Sequence, residues 1–405
     1  MIRVSNLRKE QLAQSGETRI VCDIDCGFSQ SRQLWFSVPE QYGDWLTDDV
    51  YDAFMVAMLF PAMYYGEDIQ VDGCVSEKLY DNVTHYVQPC ERAYITTLHE
   101  IRVEVAGFAR TVKTDHLVGT GFSAGIDAFS TVYDRFVREE KTAYKLSALF
   151  FFNVGSHGGG TEKARRKFHT RYENLLPFAQ EIGLPFVPMD SNLFDFYLFE
   201  WEYDAGVLCR STGILVFQKV LDKYYAAYDY SYWEIVHMTA ADYASITDMC
   251  NDYLLGTETL DIIVDGTRYR RSDKTRMLLD YPPFRRYLNV CVGNIESFHN
   301  CSSCHKCKRT LLTLDIFHRL DDFTEIFDVE KYYANRFAYK CFTVLHRKTD
   351  IYANDNYELA KRMHYPMPSY PVAWLHESPH IIMDAIKKVA KWILRRNSSS
   401  RVYPG

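Results

Sequence analysis

Four cysteines fall in one short window of the chain: Cys291, Cys301, Cys304 and Cys307, the last three at C-x2-C-x2-C spacing. Two cysteines separated by two residues turn a tight knuckle and aim both sulfurs at one ion. A third on the same turn and a fourth from the preceding strand complete a tetrahedral thiolate set, the pattern of a closed, structural zinc site. An iron–sulfur cluster takes the same ligands, and ordinary thiols are the metal-free reading. His299 and His305 lie in the same window as spare imidazoles. The expectation is Zn²⁺ held by the four sulfurs.

A second constellation is Gly119-Thr-Gly-Phe-Ser123-Ala124-Gly125-Ile126-Asp127-Ala128-Phe-Ser130, a small-residue turn between an apparent strand and an apparent helix. Such a turn leaves backbone N–H groups unpaired and converging, and the helix dipole adds to their attraction for an anion. Gly125 permits close backbone approach. Ser123 offers a hydroxyl, and Asp127 is suited to holding Mg²⁺ or orienting the loop. Downstream, the apolar run ending at Phe152 and Asn153 is followed by a glycine-rich stretch containing His157. In a doubly wound sheet, ligands sit at the carboxyl ends of strands, which places these three residues beside a ligand. Arg210 reads as the residue before a helix, where a cation opposes the dipole and points to an anionic contact. Arg270, Arg271 and Lys274 follow a turn at Asp265-Gly266.

The elements that must position these residues fall into three parts. Residues 1–112 read as an α+β unit, with strands at 19–25, 33–38 and 100–108 and a helix over 48–65. Residues 113–320 alternate strand and helix: strands at 117–122, 146–153, 185–188 and 234–238, helices at 128–139, 162–182, 213–227 and 310–320. This predicts an α/β, doubly wound parallel sheet. Residues 321–405 read as a helical extension. It ends in a basic helix at 381–396 that carries Lys387, Lys388, Lys391, Arg395 and Arg396. The net charge of −7 over 405 residues gives no sign of a nucleic-acid binder. The start lacks the apolar core of a signal peptide, and no apolar run reaches the length of a membrane span. The expectation is a soluble, cytoplasmic protein with no membrane partner.

Ser123-Ala-Gly-Ile-Asp127-Ala resembles the Ser-Gly-Gly-x-Asp-Ser loop of the PP-loop ATP pyrophosphatases. With the cysteine knuckle, the stretch from about 115 to 320 resembles the QueC (7-cyano-7-deazaguanine synthase) family. Ala124 and Ala128 depart from that loop pattern, and 256–261 differs from the family's substrate-binding segment. The resemblance implies a PP-loop fold that binds ATP and Mg²⁺. Ser123, Ala124, Gly125, Ile126, Asp127 and Ser130 would lie on the phosphates, and Phe152, Asn153 and His157 near the adenosine. Asp127, Arg210 and Lys274 would be catalytic, Lys274 by steadying charge on the α-phosphate. It also implies adenylation of a 7-carboxy-7-deazaguanine-like acid, with release of pyrophosphate. An amine, either ammonia or an amine of a partner protein, then displaces AMP to give an amide or nitrile. Enlarged QueC-like proteins of antiphage systems, the type IV CBASS and Qat types, are the resemblance for the whole chain. A non-catalytic nucleotide-binding scaffold and a homodimer stay open.

Overall fold

The structure is a computed structural model that describes residues 1–155, 157, 161–198, 204–237, 243–291 and 299–378. The glycine run 158–160 and the basic helix expected at 381–396 lie outside the described residues.

Ten strands form one sheet. In chain order they are β1 (Ile2–Leu12), β2 (Glu17–Asp25), β3 (Gln33–Pro39), β4 (Ile69–Val75), β5 (Val103–Phe108), β6 (Leu117–Gly121), β7 (Ala148–Phe152), β8 (Phe186–Ser191), β9 (Leu221–Ala227) and β10 (Asp261–Asp265). Their spatial order is β10-β9-β6-β7-β8-β3-β2-β1-β4-β5. The half from β10 to β8 is parallel throughout. Its order reverses between β6 and β9, so a crevice opens at the carboxyl ends of those two strands, where doubly wound sheets bind ligands. The sheet is α/β and mostly parallel, as expected. It does not stop at residue 112: β3 pairs antiparallel with β8 through Phe36–Ser191 and Ser37–Asp190. The Asn192 side chain extends the join, accepting from Trp35 N (2.8 Å) and donating to Gln33 O (2.8 Å).

The helices are α1 (Asp52–Tyr65), α2 (Glu77–Asn82), α3 (Gln88–Tyr94), α4 (Ile126–Val132), α5 (Glu162–Ile182), α6 (Gly206–Leu215), α7 (Tyr232–Val236), α8 (Tyr243–Leu254), α9 (Arg271–Leu278), α10 (Pro282–Tyr287), α11 (His305–Ile316), α12 (Val329–His346) and α13 (Ile351–Arg362). Side chains alternate across a strand, and β7 shows the consequence. Ala148 and Phe150 join a core with α1 and α6, while Leu149 and Phe151 join a second core with α4, α5, α10 and α11. Both faces of the parallel half are therefore covered, which is why β7 reads as an unbroken apolar run.

Two expected elements are corrected. The helix expected over 213–227 is instead the end of α6 followed by β9. The strand expected at 234–238 is α7, with Met238 outside the described residues. Two short apolar runs, Ile214–Phe217 and Val220–Leu221, flank Gln218-Lys219, too short a pattern for a period to distinguish helix from strand there. At α7, Ser231 and Glu234 form a reciprocal capping box, with Ser231 Oγ accepting from Glu234 N at 3.2 Å.

Candidate functional site

At the carboxyl end of β6 the chain turns through Phe122–Gly125 into α4, which continues as a wider helical turn to Val137. Phe122 N donates to Phe150 O (2.9 Å), and Ala124 O accepts from Asn289 N (2.9 Å), which pin the turn. Ala124 sits at φ 58°, fully buried. This left-handed conformation suits glycine, and a Cβ there is strained by roughly 1–2 kcal/mol. The backbone thus keeps the shape that a glycine would take more cheaply. No hydrogen bond from the N–H groups of Ser123, Ala124 or Gly125 is formed among the described residues. A Cβ added at Gly125 would meet only Ser123 Oγ at 3.5 Å, so the flank of the turn is open. Ile126 is buried in the core, and Ser130 lies one turn inside, buried, with its hydroxyl unpaired.

Asp127, in the first turn of α4, is held by two cations from α9. Lys274 Nζ donates to Oδ1 at 3.0 Å, and Arg271 donates to Oδ2. Burial alone would raise the carboxyl pKa, but Arg271 and Lys274 together hold it well below the usual carboxylate range. Lys274 is fully buried, and its ammonium also donates to the carbonyl of Tyr228. Both Asp127 oxygens are thus engaged by cations, which does not fit a Mg²⁺ ligand. Lys274 serves as an internal brace rather than a group exposed to a phosphate.

Three further cations gather here, and sequence reading missed all of them. Arg171 comes from α5, while Lys306 and Arg309 come from the first turns of α11. None has a carboxylate partner among the described residues. Burial pushes the Lys306 ammonium below its usual range, and the neighbouring Arg309 and Arg271 push it further. Burial likewise lowers Arg171. Arg309 lies over the ring of Tyr352 at 3.7 Å, with its Nε unpaired. Tyr352, from α13, stacks on Tyr230 and donates to Asp229 at 2.6 Å. Ile126, Arg271, Arg309, Thr310 and Tyr352 enclose a space of about 10 Å³, enough for one water. The only cue in the sequence was Lys306 and Arg309 beside the cysteines.

The cysteine quartet assembles as expected. All four sulfurs lie within 4.8 Å of one another, with Cys304–Cys307 at 3.4 Å and Cys301–Cys307 at 3.8 Å. A tetrahedral zinc with Zn–S near 2.3 Å sets its sulfurs about 3.8 Å apart, whereas a disulfide needs about 2.05 Å. Backbone N–H groups of Cys304 and Cys307 point at the sulfurs of Cys301 (3.3 Å) and Cys304 (3.4 Å), which favours thiolates. Ser302 makes the turn at φ 58°. Asn300 clamps the two ligand segments together: its Oδ1 accepts from Val290 N (2.8 Å) and Cys291 N (3.1 Å), and its Nδ2 donates to Leu288 O (2.9 Å). The quartet can hold a metal such as zinc, and α11 starts from it.

The remaining expected residues are spread more widely. Arg210 is not before a helix but five residues into α6. Its Nη2 donates to both carboxylate oxygens of Asp252 of α8, at 2.8 and 2.7 Å, close to the β9 end of the crevice. Phe152 stacks with Phe217 and Tyr224. Asn153 ties β7 to β8 through Asp190 (2.6 Å). His157 is buried between Phe151 and Phe168, and that burial, then Arg171 and Lys167, lowers its pKa to about 3. Residues 256–260 precede β10, at the opposite end of the sheet from the crevice. They pack on α2, where Lys78 donates to Thr257 O (3.0 Å) and Glu258 (2.9 Å). A larger open concavity of about 660 Å³ lies over β1–β3, lined by Arg19, Arg32, Asp23 and Trp35, remote from all of these groups.

No protein-family model, curated protein or solved structure matches the chain. Among the described residues, no helix is long and apolar enough to cross a membrane.

Proposed function

We propose that this protein binds ATP at the β6–α4 turn and adenylates a carboxylate, releasing pyrophosphate, before an amine displaces AMP to form an amide. The observation that carries the reading is the meeting of Arg171, Lys306 and Arg309, none paired with a carboxylate among the described residues, with a turn whose N–H groups are unpaired. Like charges gathered in one place repel, and those drawn from water, such as Arg309, also lose hydration. A polyphosphate would satisfy all three cations and the N–H groups at once. The loop's resemblance to the PP-loop pyrophosphatases, and the knuckle's resemblance to QueC proteins, supply the reaction type. Zinc, held by Cys291, Cys301, Cys304 and Cys307, supplies structure alone, because four sulfurs leave it no open position.

In this reading Arg171, Lys306 and Arg309 hold the phosphates, and Asp127 fixes Arg271 and Lys274 behind them. Catalysis comes from holding the α-phosphate in line with the acid and stabilising its developing charge. The acid is 7-carboxy-7-deazaguanine or a relative. The amine is either a partner-protein amine, as in the antiphage resemblance, or ammonia, as in nitrile synthesis.

The test is isotope exchange between pyrophosphate and ATP in the presence of 7-carboxy-7-deazaguanine. The expected result is acid-dependent exchange with AMP as the nucleotide product. ADP as product excludes adenylation. Calorimetric ATP binding without exchange for any candidate acid leaves a nucleotide-binding scaffold.

A further inference from the structure

The opposite wall of the crevice is acidic, and no step above uses it. Asp229 follows β9, and Asp248 and Asp252 lie on α8. Arg210 is the one cation bonded to this group of three among the described residues, and its Nη2 is closed on Asp252. Asp248 forms no hydrogen bond or ion pair among the described residues and is only partly buried, so solvent-borne groups can reach it. A second observation points into the same place. Tyr228 is 6% exposed, yet its hydroxyl has no hydrogen-bond partner, and the charges acting on it are those of Asp248, Asp229 and Asp252, opposed by Arg210. A buried hydroxyl without a partner is uncommon and needs a reason. The backbone carbonyl of the same tyrosine receives Lys274, so this wall adjoins the phosphate side.

We infer that Tyr228, Asp248 and the Arg210–Asp252 pair form the subsite for the amine, and that it takes a primary ammonium, either NH4⁺ or the side chain of a lysine. The carboxylate of Asp248 and the Tyr228 oxygen accept its N–H bonds. The chemistry rests on the adenylation reading; the binding of a cation does not. The incoming R–NH3⁺ gives one proton to Asp248. The freed nitrogen lone pair attacks the acyl carbon of the adenylate, and the C–O bond to phosphate breaks with its electron pair leaving on AMP. A second proton departs from nitrogen to solvent, and nothing is oxidised or reduced. Burial, with Asp252 and Asp229 alongside, raises the Asp248 carboxyl to about 7 against the pull of Arg210, which suits proton uptake near neutrality.

The test has two independent readouts. In thermal melts of the full chain, methylammonium chloride should raise the midpoint above an equal concentration of sodium chloride, and Asp248→Asn should abolish the difference. No difference in the wild type, or the same difference in the variant, overturns the subsite whether or not adenylation occurs. The second readout is AMP formation against amine concentration, normalised to each variant's own pyrophosphate exchange. Loss of a charge-assisted hydrogen bond should raise the half-saturating amine about 10- to 100-fold in Asp248→Asn, and by less in Tyr228→Phe. Unchanged amine dependence in both variants overturns the assignment. Running ammonium chloride against Nα-acetyl-lysine amide identifies the source: saturation by the lysine derivative alone marks a protein amine, and by ammonium alone marks ammonia. If neither saturates while exchange proceeds, the subsite is refuted and adenylation stands. An absence of exchange refutes adenylation, and the melts then decide the subsite alone.

Discussion

The two walls of the crevice are built on one plan with opposite signs. On the basic side, one carboxylate, Asp127, is closed against Arg271 and Lys274, and cations without a carboxylate partner among the described residues stand around it. On the other side, one cation, Arg210, is closed against Asp252, and the unpartnered carboxylate Asp248 stands beside it. In each wall one member of the closed set is fully buried, Lys274 on one side and Asp252 on the other, while the open charges range from Arg309, which is buried, to Lys306, which is exposed. A closed buried pair is a framework, because breaking it strands a charge. An open charge in a cleft is free to meet a ligand. The walls differ in origin. The acidic one comes from β9 and α8, near neighbours in the sequence. The basic one is gathered from α5, α9 and α11, and α11 is anchored by the cysteine quartet.

That difference gives the largest expected effect. Structural zinc in small sites binds with about 10–16 kcal/mol, so Cys304→Ser should lose the metal, expected at one ion per chain, and release α11. Hydrogen exchange read by mass spectrometry should show α11, α12 and α13 losing protection while β9 and α6 keep theirs. Equal loss on both walls would show that the quartet supports the whole sheet, and full protection of α11 would show that it supports neither wall. Next in size are the closed pairs. Asp127→Asn leaves Arg271 and Lys274 without a counter-charge, and Asp252→Asn does the same to Arg210. The first should cost about 3–5 kcal/mol in denaturant unfolding, and the second less, about 1–3 kcal/mol, because water reaches the one-third-exposed Arg210. A loss below about 1 kcal/mol in either variant would mean that its wall is not framed by its pair.

The open charges should behave differently. Arg171→Gln and Lys306→Gln should each weaken ATP binding about 10- to 100-fold in calorimetry, from the loss of one charged hydrogen bond. Each should leave unfolding stability within about 0.5 kcal/mol of the wild type, because no protein partner is stranded. Undiminished ATP affinity in both would remove the polyphosphate from the basic wall.

The sequence made some of this legible and hid the rest for physical reasons. The cysteine quartet could be read because its chemistry is local: spacing alone sets the geometry, and Asn300 only tightens it. The β6 turn was equally plain from its glycines, and the helix expected at 162–182 matches α5, which Thr161 caps and Gly183 ends at φ 72°. β1 went unread because Asn6, at φ 57°, breaks its alternation at a register shift between Ser5 and Arg8. β10 went unread because it is only five residues long. The break expected at residue 112 is bridged by the pairing of β3 with β8, a contact between segments about 150 residues apart that no local pattern reveals. The basic wall was hidden for the same reason: Arg171, Arg271, Lys306 and Arg309 share no motif, and only the docking of α11 on α4 and α9 brings them together.

The smallest expected effect concerns His157, which belongs to neither wall. The resemblance placed it near adenosine, but its ring packs edge-on against Phe151 and Phe168. Its pKa falls from about 6.5 when unfolded to about 3 in the fold, first through burial and then through Arg171 and Lys167. Between those values the unfolded chain holds one more proton than the native state. Its contribution is therefore complete above pH 6.5 and is lost as the pH falls, at up to about 1.4 kcal/mol per pH unit. Phenylalanine keeps the aromatic packing and cannot take a proton. His157→Phe should match the wild type within about 1 kcal/mol at pH 7.5, and should lose stability less steeply between pH 6 and 4 (roughly one proton less in the linkage slope). ATP affinity should not change. An unchanged acid slope with weakened ATP binding would move His157 out of the core and into the nucleotide site, and the basic wall would then extend past α5 to the end of β7.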